Sequence, residues 1–117
     1  MIKNKTGVWG EVYASRYLRN QHLKILAANY KCRFGEADLI ATDGKTLFVI
    51  EVKTRAVNTL HRPMEAVDEN KQHRLELTAK SFIAASKQDK DVRFDVCEVW
   101  LENNYKLSKI NYIENAF

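Results

Sequence analysis

The sequence predicts an α/β domain in which a mixed central β-sheet is flanked by helices, in the order α-β-β-β-α-β-β. Three observations lead to this prediction: two stretches with apolar and small residues at helical spacing, several runs of β-branched and aromatic residues, and an Asp43-Gly44 pair between two such runs. Aspartate-glycine between β-rich runs is typical of a hairpin. A chain of 117 residues is expected to form a single domain, residues 1–117.

The first helix is predicted near residues 6–20, where one stripe at helical spacing contains small and apolar residues together with one glutamate. The stripe consists of Gly7, Glu11, Ala14 and Leu18. The small residues Gly7, Gly10 and Ala14 would let this helix lie close to a sheet. Glu11 lies in the middle of this stripe, so it is either tilted into solvent or directed to a site that needs a carboxylate.

The remaining elements follow from alternation and from turn residues. Strands are predicted over 24–31, 36–42 and 45–54, with a turn at Cys32–Gly35 and a polar loop over 55–63. Asp68 is predicted to cap a second helix that ends near Ser86, with a buried stripe of Leu75, Ala79, Phe82 and Ile83. Two further strands are predicted over 92–101 and 106–113, separated by a turn at Asn103-Asn104, and the last strand is expected at an edge of the sheet.

The central hairpin carries charges in a strongly apolar setting, and these charges need compensation because burying an unpaired carboxylate is costly. If Asp43-Gly44 is a two-residue loop, Thr42 pairs with Lys45, Ile40 with Leu47 and Asp38 with Val49. Asp38 then lies on the same face as Glu51 and Lys53, since side chains alternate along a strand. The Cβ atoms of Asp38 and Glu51 would be roughly 7–8 Å apart.

Two carboxylates at this spacing could bind Mg²⁺, which needs only one or two of them besides water. Lys53 could hold an attacking water or offset charge on a phosphate. Glu36 could face the same site, although it lies nearer the turn. The alternative is a structural ion pair between Glu51 and Lys53, or between Asp38 and an arginine.

Basic residues around the hairpin suggest contacts to phosphate. Lys71 falls in the first turn of the second helix, where a bound anion is favoured and a lysine is not. A solvated lysine is the alternative. Four arginines are candidates for a phosphate-tracking surface, namely Arg33, Arg55, Arg62 and Arg74. Asp95, which follows Arg93 on a strand, is interpreted as a packing or ion-pair residue.

The composition is ordinary for a globular domain, with a formal charge of +4 that is compatible with an anionic partner such as nucleic acid. No apolar run is long enough to span a membrane, and the first residues lack a signal-peptide core. Cys32 and Cys97 are expected to be free thiols in a reducing cytoplasm. The three histidines lack zinc-ligand spacing.

These residues resemble a known family, the YraN-like proteins of the PD-(D/E)XK nuclease-like superfamily. The matching pieces are Gly7-x-x-Gly10-Glu11-x-x-Ala14-x-x-Tyr17-Leu18, Asn29-Tyr30, Gly35-Glu36-x-Asp38-Leu39-Ile40-Ala41, Phe48-Val49-x-Glu51-Val52-Lys53-Thr54-Arg55, Lys71 and Arg93-Phe94-Asp95-Val96. Gly35-Glu36-Ala37-Asp38 stands where the superfamily name has Pro-Asp.

The resemblance implies a restriction-endonuclease-like core and a nuclease that hydrolyses phosphodiester bonds in DNA, branched or single-stranded. By this likeness Glu11, Asp38 and Glu51 would hold Mg²⁺ or Mn²⁺ with the Val52 carbonyl, and Lys53 would assist hydrolysis. Related Holliday junction resolvases act as dimers, so a homodimer is plausible. Two alternatives stay open: a nucleic-acid-binding module that has the nuclease fold without catalysis, and a scaffold whose acidic cluster is a buried salt-bridge network.

Overall fold

A computed structural model describes residues 4–57 and 67–117. Two helices pack on a five-stranded sheet, and the predicted α-β-β-β-α-β-β order is confirmed, with a short 3₁₀ turn before the last strand. The elements are α1 (Lys5–Asn20), β1 (Lys24–Cys32), β2 (Gly35–Thr42), β3 (Thr46–Ala56), α2 (Glu69–Ser86), β4 (Asp91–Leu101), η1 (Asn103–Tyr105) and β5 (Leu107–Ile113).

The strands lie in the order β1-β2-β3-β4-β5, and each neighbouring pair is antiparallel except β3 and β4, which are parallel. A parallel pair needs a crossover connection, and α2 supplies it. The predicted edge position of β5 is confirmed.

Each helix covers one face of the sheet, which gives three layers around two apolar clusters. The α1 cluster consists of Ala14, Leu18, Leu39, Ala41, Phe48, Ile50, Cys97, Val99 and Leu101. The α2 cluster consists of Ala37, Ile40, Leu47, Val49, Val67, Leu75, Ala79, Phe82 and Val96. Residues that alternate along β3 thus belong to different clusters, so β3 is buried on both faces.

The predicted elements agree with the structure to within one or two residues, and Asp68 caps α2 by accepting a 2.8 Å hydrogen bond from the Lys71 N–H. The polar loop was predicted to start too early: Arg55 and Ala56 pair with β4 as part of β3. The rest of that loop from residue 58, including Arg62, lies outside the described residues.

The predicted register of the β2–β3 hairpin is wrong by two residues. Thr42 pairs with Leu47 and Ile40 with Val49, so four residues separate the last pair rather than two. Asp43 explains the longer connection, because its side chain accepts hydrogen bonds from the N–H groups of Lys45 and Thr46 at 2.9 and 2.8 Å. A shift of two residues keeps every side chain on its predicted face.

Gly10 lies where α1 crosses β3, and we expect its replacement by alanine to destabilise the fold. A Cβ atom there would meet the Thr54 hydroxyl well inside contact distance. We expect Gly10→Ala to lower the free energy of unfolding by about 1–3 kcal/mol, the usual cost of overpacking. Urea denaturation measures this effect. The second substitution Thr54→Ala, which removes the clashing hydroxyl and methyl, should recover part of the loss; no recovery would contradict the assigned contact.

Within the described ranges, neither α1 nor α2 is long and apolar enough to cross a membrane. Both cysteines are free, as predicted. Cys97 is buried in the α1 cluster, and burial raises the pKa of its thiol to about 12.

Candidate active site

Asp38 and Glu51 line one cavity of about 250 Å³ between the sheet and α2. The cavity is lined by Gly35, Glu36, Asp38, Glu51, Lys71, Arg74 and Leu75. The hairpin supplies the three carboxylates, Glu36, Asp38 and Glu51, and α2 supplies the two cations, Lys71 and Arg74. The two carboxylates that the sequence placed on one face thus reach the same space.

Asp38 lies where β2 and β3 separate. Regular pairing runs only as far as Leu39–Ile50, and the Asp38 carboxylate then accepts a 2.8 Å hydrogen bond from the N–H of Val52. In a regular strand, residues 37 and 39 would point to the same face of the sheet. Here Leu39 packs in the α1 cluster and Ala37 in the α2 cluster, so the alternation of side chains between the two faces is interrupted next to Asp38. The Asp38 carboxylate therefore accepts the hydrogen bond that a backbone carbonyl of β2 would accept in a regular ladder, and this bond holds the side chain against β3.

Glu51 is buried on the α2 face of β3, with 5% of its surface exposed. Its carboxylate lies 2.9 Å from the Lys71 ammonium. Burial and the negative charge of Asp38 raise the pKa of Glu51, although Lys71 and Lys53 act against this. A further positive charge close to Glu51 would act in the same direction as these two lysines.

Two lysines complete the charged group. Burial, followed by the positive charge of Lys71, lowers the pKa of half-buried Lys53, while Glu51 and Asp38 oppose the shift. For Lys71, burial acts to lower the pKa, but the hydrogen bond and the charge of Glu51 outweigh it and raise the pKa. Lys71 thus has an ion-pair partner that the sequence did not indicate.

The other predicted metal ligands, Val52 and Glu11, do not line this cavity. Val52 follows Glu51 on the opposite face of β3 and gives its N–H to Asp38. Glu11 lines a second cavity, of about 500 Å³, between α1 and the first two strands. Glu36 lines both cavities. In the part of the chain that the structure describes, no three His, Cys, Asp or Glu side chains converge as a metal-binding group, so the candidate centre rests on Asp38 and Glu51.

The predicted phosphate-tracking arginines differ in position. Arg74 lines the Asp38–Glu51 cavity. Arg33 is exposed in the β1–β2 turn, and its guanidinium stacks on the Phe34 ring at 4.6 Å. Arg55 is partly buried and lies 3.7 Å from the Glu98 carboxylate.

Glu98 is a residue that the sequence analysis missed. It is 5% exposed, pairs in register with Lys53 and accepts a 2.8 Å hydrogen bond from the Asn111 side chain. It therefore extends the row of buried charges from β3 onto β4. A glutamate inside the apolar run 96–101 is the same signal that pointed to Glu51, and it could have identified Glu98.

Asp95 belongs to a separate network, and its predicted role as an ion-pair residue is confirmed. It is fully buried and accepts hydrogen bonds from the Arg93 guanidinium at 2.9 Å, the Tyr112 hydroxyl at 2.6 Å and the Asn115 N–H at 2.9 Å. Burial and the bond to Asp95 raise the pKa of Tyr112. Asp95 ties β4 to β5 and the segment after it.

Comparison with known proteins gives a consistent assignment. The model of a family described as "Uncharacterised protein family UPF0102" matches residues 10–99. A UPF0102 protein of Caldanaerobacter subterraneus subsp. tengcongensis is 41% identical over 98% of this chain and 96% of its own length. One from Alkaliphilus oremlandii is 39% identical over 99% of this chain and all of its own, and one from Caldicellulosiruptor saccharolyticus is 37% identical over the full length of both.

Proposed function

This chain belongs to the uncharacterised protein family UPF0102, and we propose that its Asp38–Glu51 cavity is the active site of a metal-dependent nuclease that hydrolyses phosphodiester bonds in DNA. The observation that carries the proposal is the convergence of Asp38 and nearly buried Glu51 with Lys71 and Arg74 in one cavity, with Lys53 close to Lys71 and Glu51. Such a group is costly to assemble for stability alone. Perturbed pKa values in a cavity are typical of functional sites.

The Asp38 and Glu51 carboxylates are suitable ligands for Mg²⁺ or Mn²⁺. Two carboxylates with room for water are a sufficient donor set for these hard cations. The raised pKa of Glu51, caused by burial and by Asp38, indicates a site where added positive charge would be favourable. A bound divalent cation would lower the pKa of a water and polarise a phosphoryl oxygen.

The side chains of the protein then have distinct roles. Asp38, fixed by the Val52 N–H, and Glu51 would hold the cation. Lys53, whose pKa is lowered by burial, would position the attacking water or donate to the phosphate as charge develops. When substrate binds, Lys71 at the start of α2 would leave its ion pair with Glu51 and contact a phosphate oxygen. Arg74 would add a second contact to the phosphate.

One observation favours the non-catalytic alternative. The 2.9 Å ion pair between Lys71 and Glu51 already compensates part of the buried charge. A nucleic-acid-binding module with this fold would keep such a pair and would bind DNA without cutting it. Its affinity would depend on salt but not on Glu51.

Cleavage of a panel of DNA structures in Mg²⁺ and Mn²⁺ tests the proposal, with single-stranded, duplex, flapped and four-way substrates. We expect wild type to cut at least one of them and Asp38→Asn to lose about 10²–10³-fold in rate. Asp89→Asn removes one exposed carboxylate elsewhere and should cut like wild type. Equal residual activity in all three proteins would contradict the proposal. Binding by wild type without cleavage in either metal would favour the non-catalytic module.

A further inference from the structure

We propose that the cavity between α1, β1 and β2 is a subsite for one unpaired nucleotide next to the cleaved phosphate. This inference rests on the proposed function and names its substrate class: DNA with a single-stranded segment at the point of cleavage. The cavity measures about 500 Å³, within the range of about 300–1,000 Å³ typical of small-ligand sites. This cavity lies on the α1 face of the sheet and the Asp38–Glu51 cavity on the α2 face, and Glu36, near the start of β2, lines both.

The helix side of the cavity includes two exposed apolar side chains. Val8 and Val12, one helical turn apart, line it and are 48% and 37% exposed. Together with Trp9 they are the large hydrophobic side chains that the structure records as exposed in its described part. Single exposed apolar residues are ordinary, whereas a cluster beside a cavity indicates a binding surface. The flat face of a base would cover these two valines.

The strand side of the cavity offers a polar group in a strained position. Asn29 lines the cavity with a backbone φ of 53°, a left-handed conformation that few non-glycine residues adopt. The β1–β2 ladder passes from Ala28–Leu39 directly to Tyr30–Ala37, so this kink lies opposite Asp38. The Asn29 amide can both donate to and accept from the edge of a base.

Charge at the cavity suits the backbone of the same nucleotide. Arg19 from α1 and Lys31 from β1 line it and can contact phosphate. Glu11 and Glu36 also line it, so the cavity as a whole is balanced in charge. A balanced, partly apolar cavity favours a base and sugar with one phosphate at its mouth over a chain of phosphates.

The position of the base decides the substrate class. A base lodged between α1 and the sheet presents its hydrogen-bonding edge to the protein and not to a complementary base. A fully paired duplex would have to open to reach the subsite. Single strands, flaps and frayed ends already supply an unpaired nucleotide.

Binding of a short single-stranded oligodeoxynucleotide that carries one 2-aminopurine tests the subsite by fluorescence in EDTA, where no cleavage takes place. We expect wild type to bind it more tightly than the same sequence as a duplex. Val12→Glu should weaken this binding about tenfold or more, as loss of an apolar contact in a pocket does. Asn20→Glu adds the same charge at an exposed position of α1 that does not line the cavity, and should bind like wild type.

Asn29→Gly provides a second variant that keeps the fold, because glycine adopts a positive φ without strain. It should weaken single-strand binding several-fold while the melting temperature is unchanged or higher. Equal effects of Val12→Glu and Asn20→Glu, equal affinity for single strand and duplex, or no binding of the oligonucleotide by wild type would each overturn the subsite. If the expected binding pattern appears but no DNA is cut in any metal, the subsite stands and the nuclease proposal fails.

Discussion

Lys53→Met is expected to abolish most cleavage with only a modest change in stability, because the burial cost that it removes offsets the charge that Lys53 supplies to Glu51 and Asp38. The lysine is half-buried on the face that carries Glu51, and burial lowers its pKa, so the folded state disfavours its charge. Methionine has a similar shape and no charge to desolvate. Loss of one group that stabilises transition-state charge costs about 10²–10³-fold in kcat. Steady-state cleavage and urea denaturation of the same preparation measure the two effects.

Lys45→Met is the matched control for this variant, because Lys45 is an exposed residue of the hairpin turn whose removal changes the net charge equally. It should reproduce any loss of DNA affinity that comes from charge alone, with kcat preserved. If Lys53→Met lowered only the affinity, as Lys45→Met does, Lys53 would be a phosphate contact and not part of the reaction. A large loss of stability in Lys53→Met would contradict the burial argument.

Asp95→Ala is expected to show the opposite pattern, with the largest loss of stability among the substitutions considered. Its fully buried carboxylate accepts hydrogen bonds from Arg93, Tyr112 and Asn115, so its removal leaves four donor groups on three residues without this acceptor. Breaking a buried ion pair by removing one partner costs about 3–5 kcal/mol. This is a large part of the roughly 5–15 kcal/mol by which domains are stable.

Urea denaturation of Asp95→Ala beside Asp91→Ala measures this loss. Asp91 begins the same strand and is exposed, so its replacement should change the free energy of unfolding by no more than about 0.5 kcal/mol. A cost below about 1 kcal/mol for Asp95→Ala would show that the network contributes little. Since Asp95 faces the α1 side, any Asp95→Ala protein that still folds should retain cleavage.

The position of the β2–β3 hairpin could be predicted from the sequence, but its register could not. The Asp43-Gly44 pair correctly located the turn, but the Asp43 side chain closes a longer connection by hydrogen bonds to Lys45 and Thr46. Nothing in the dipeptide distinguishes this turn from a two-residue loop. Asp38 and Glu51 line one cavity despite the wrong register, because strand faces repeat every two residues and the register error was even. Their role as a shared metal site stays a prediction.

The remaining features depend on contacts between distant segments. Lys71 pairs with Glu51 because the crossover helix α2 begins above β3, and neither local pattern contains that information. Glu11 was predicted on the correct helix, but which cavity it lines depends on how α1 crosses the sheet. Asparagine adopts a positive φ more often than most residues, but the sequence does not show which of its asparagines do so, and the kink at Asn29 was therefore not predicted. The predicted homodimer stays a prediction.

Diffraction from a crystal of this protein soaked in Mn²⁺, measured at the manganese absorption edge, would locate a metal ion in the Asp38–Glu51 cavity. We expect an anomalous peak within coordination distance of both the Asp38 and Glu51 carboxylates, with the Lys71 ammonium moved away from Glu51. The absence of a peak there, with the Lys71–Glu51 ion pair intact at saturating Mn²⁺, would contradict this expectation.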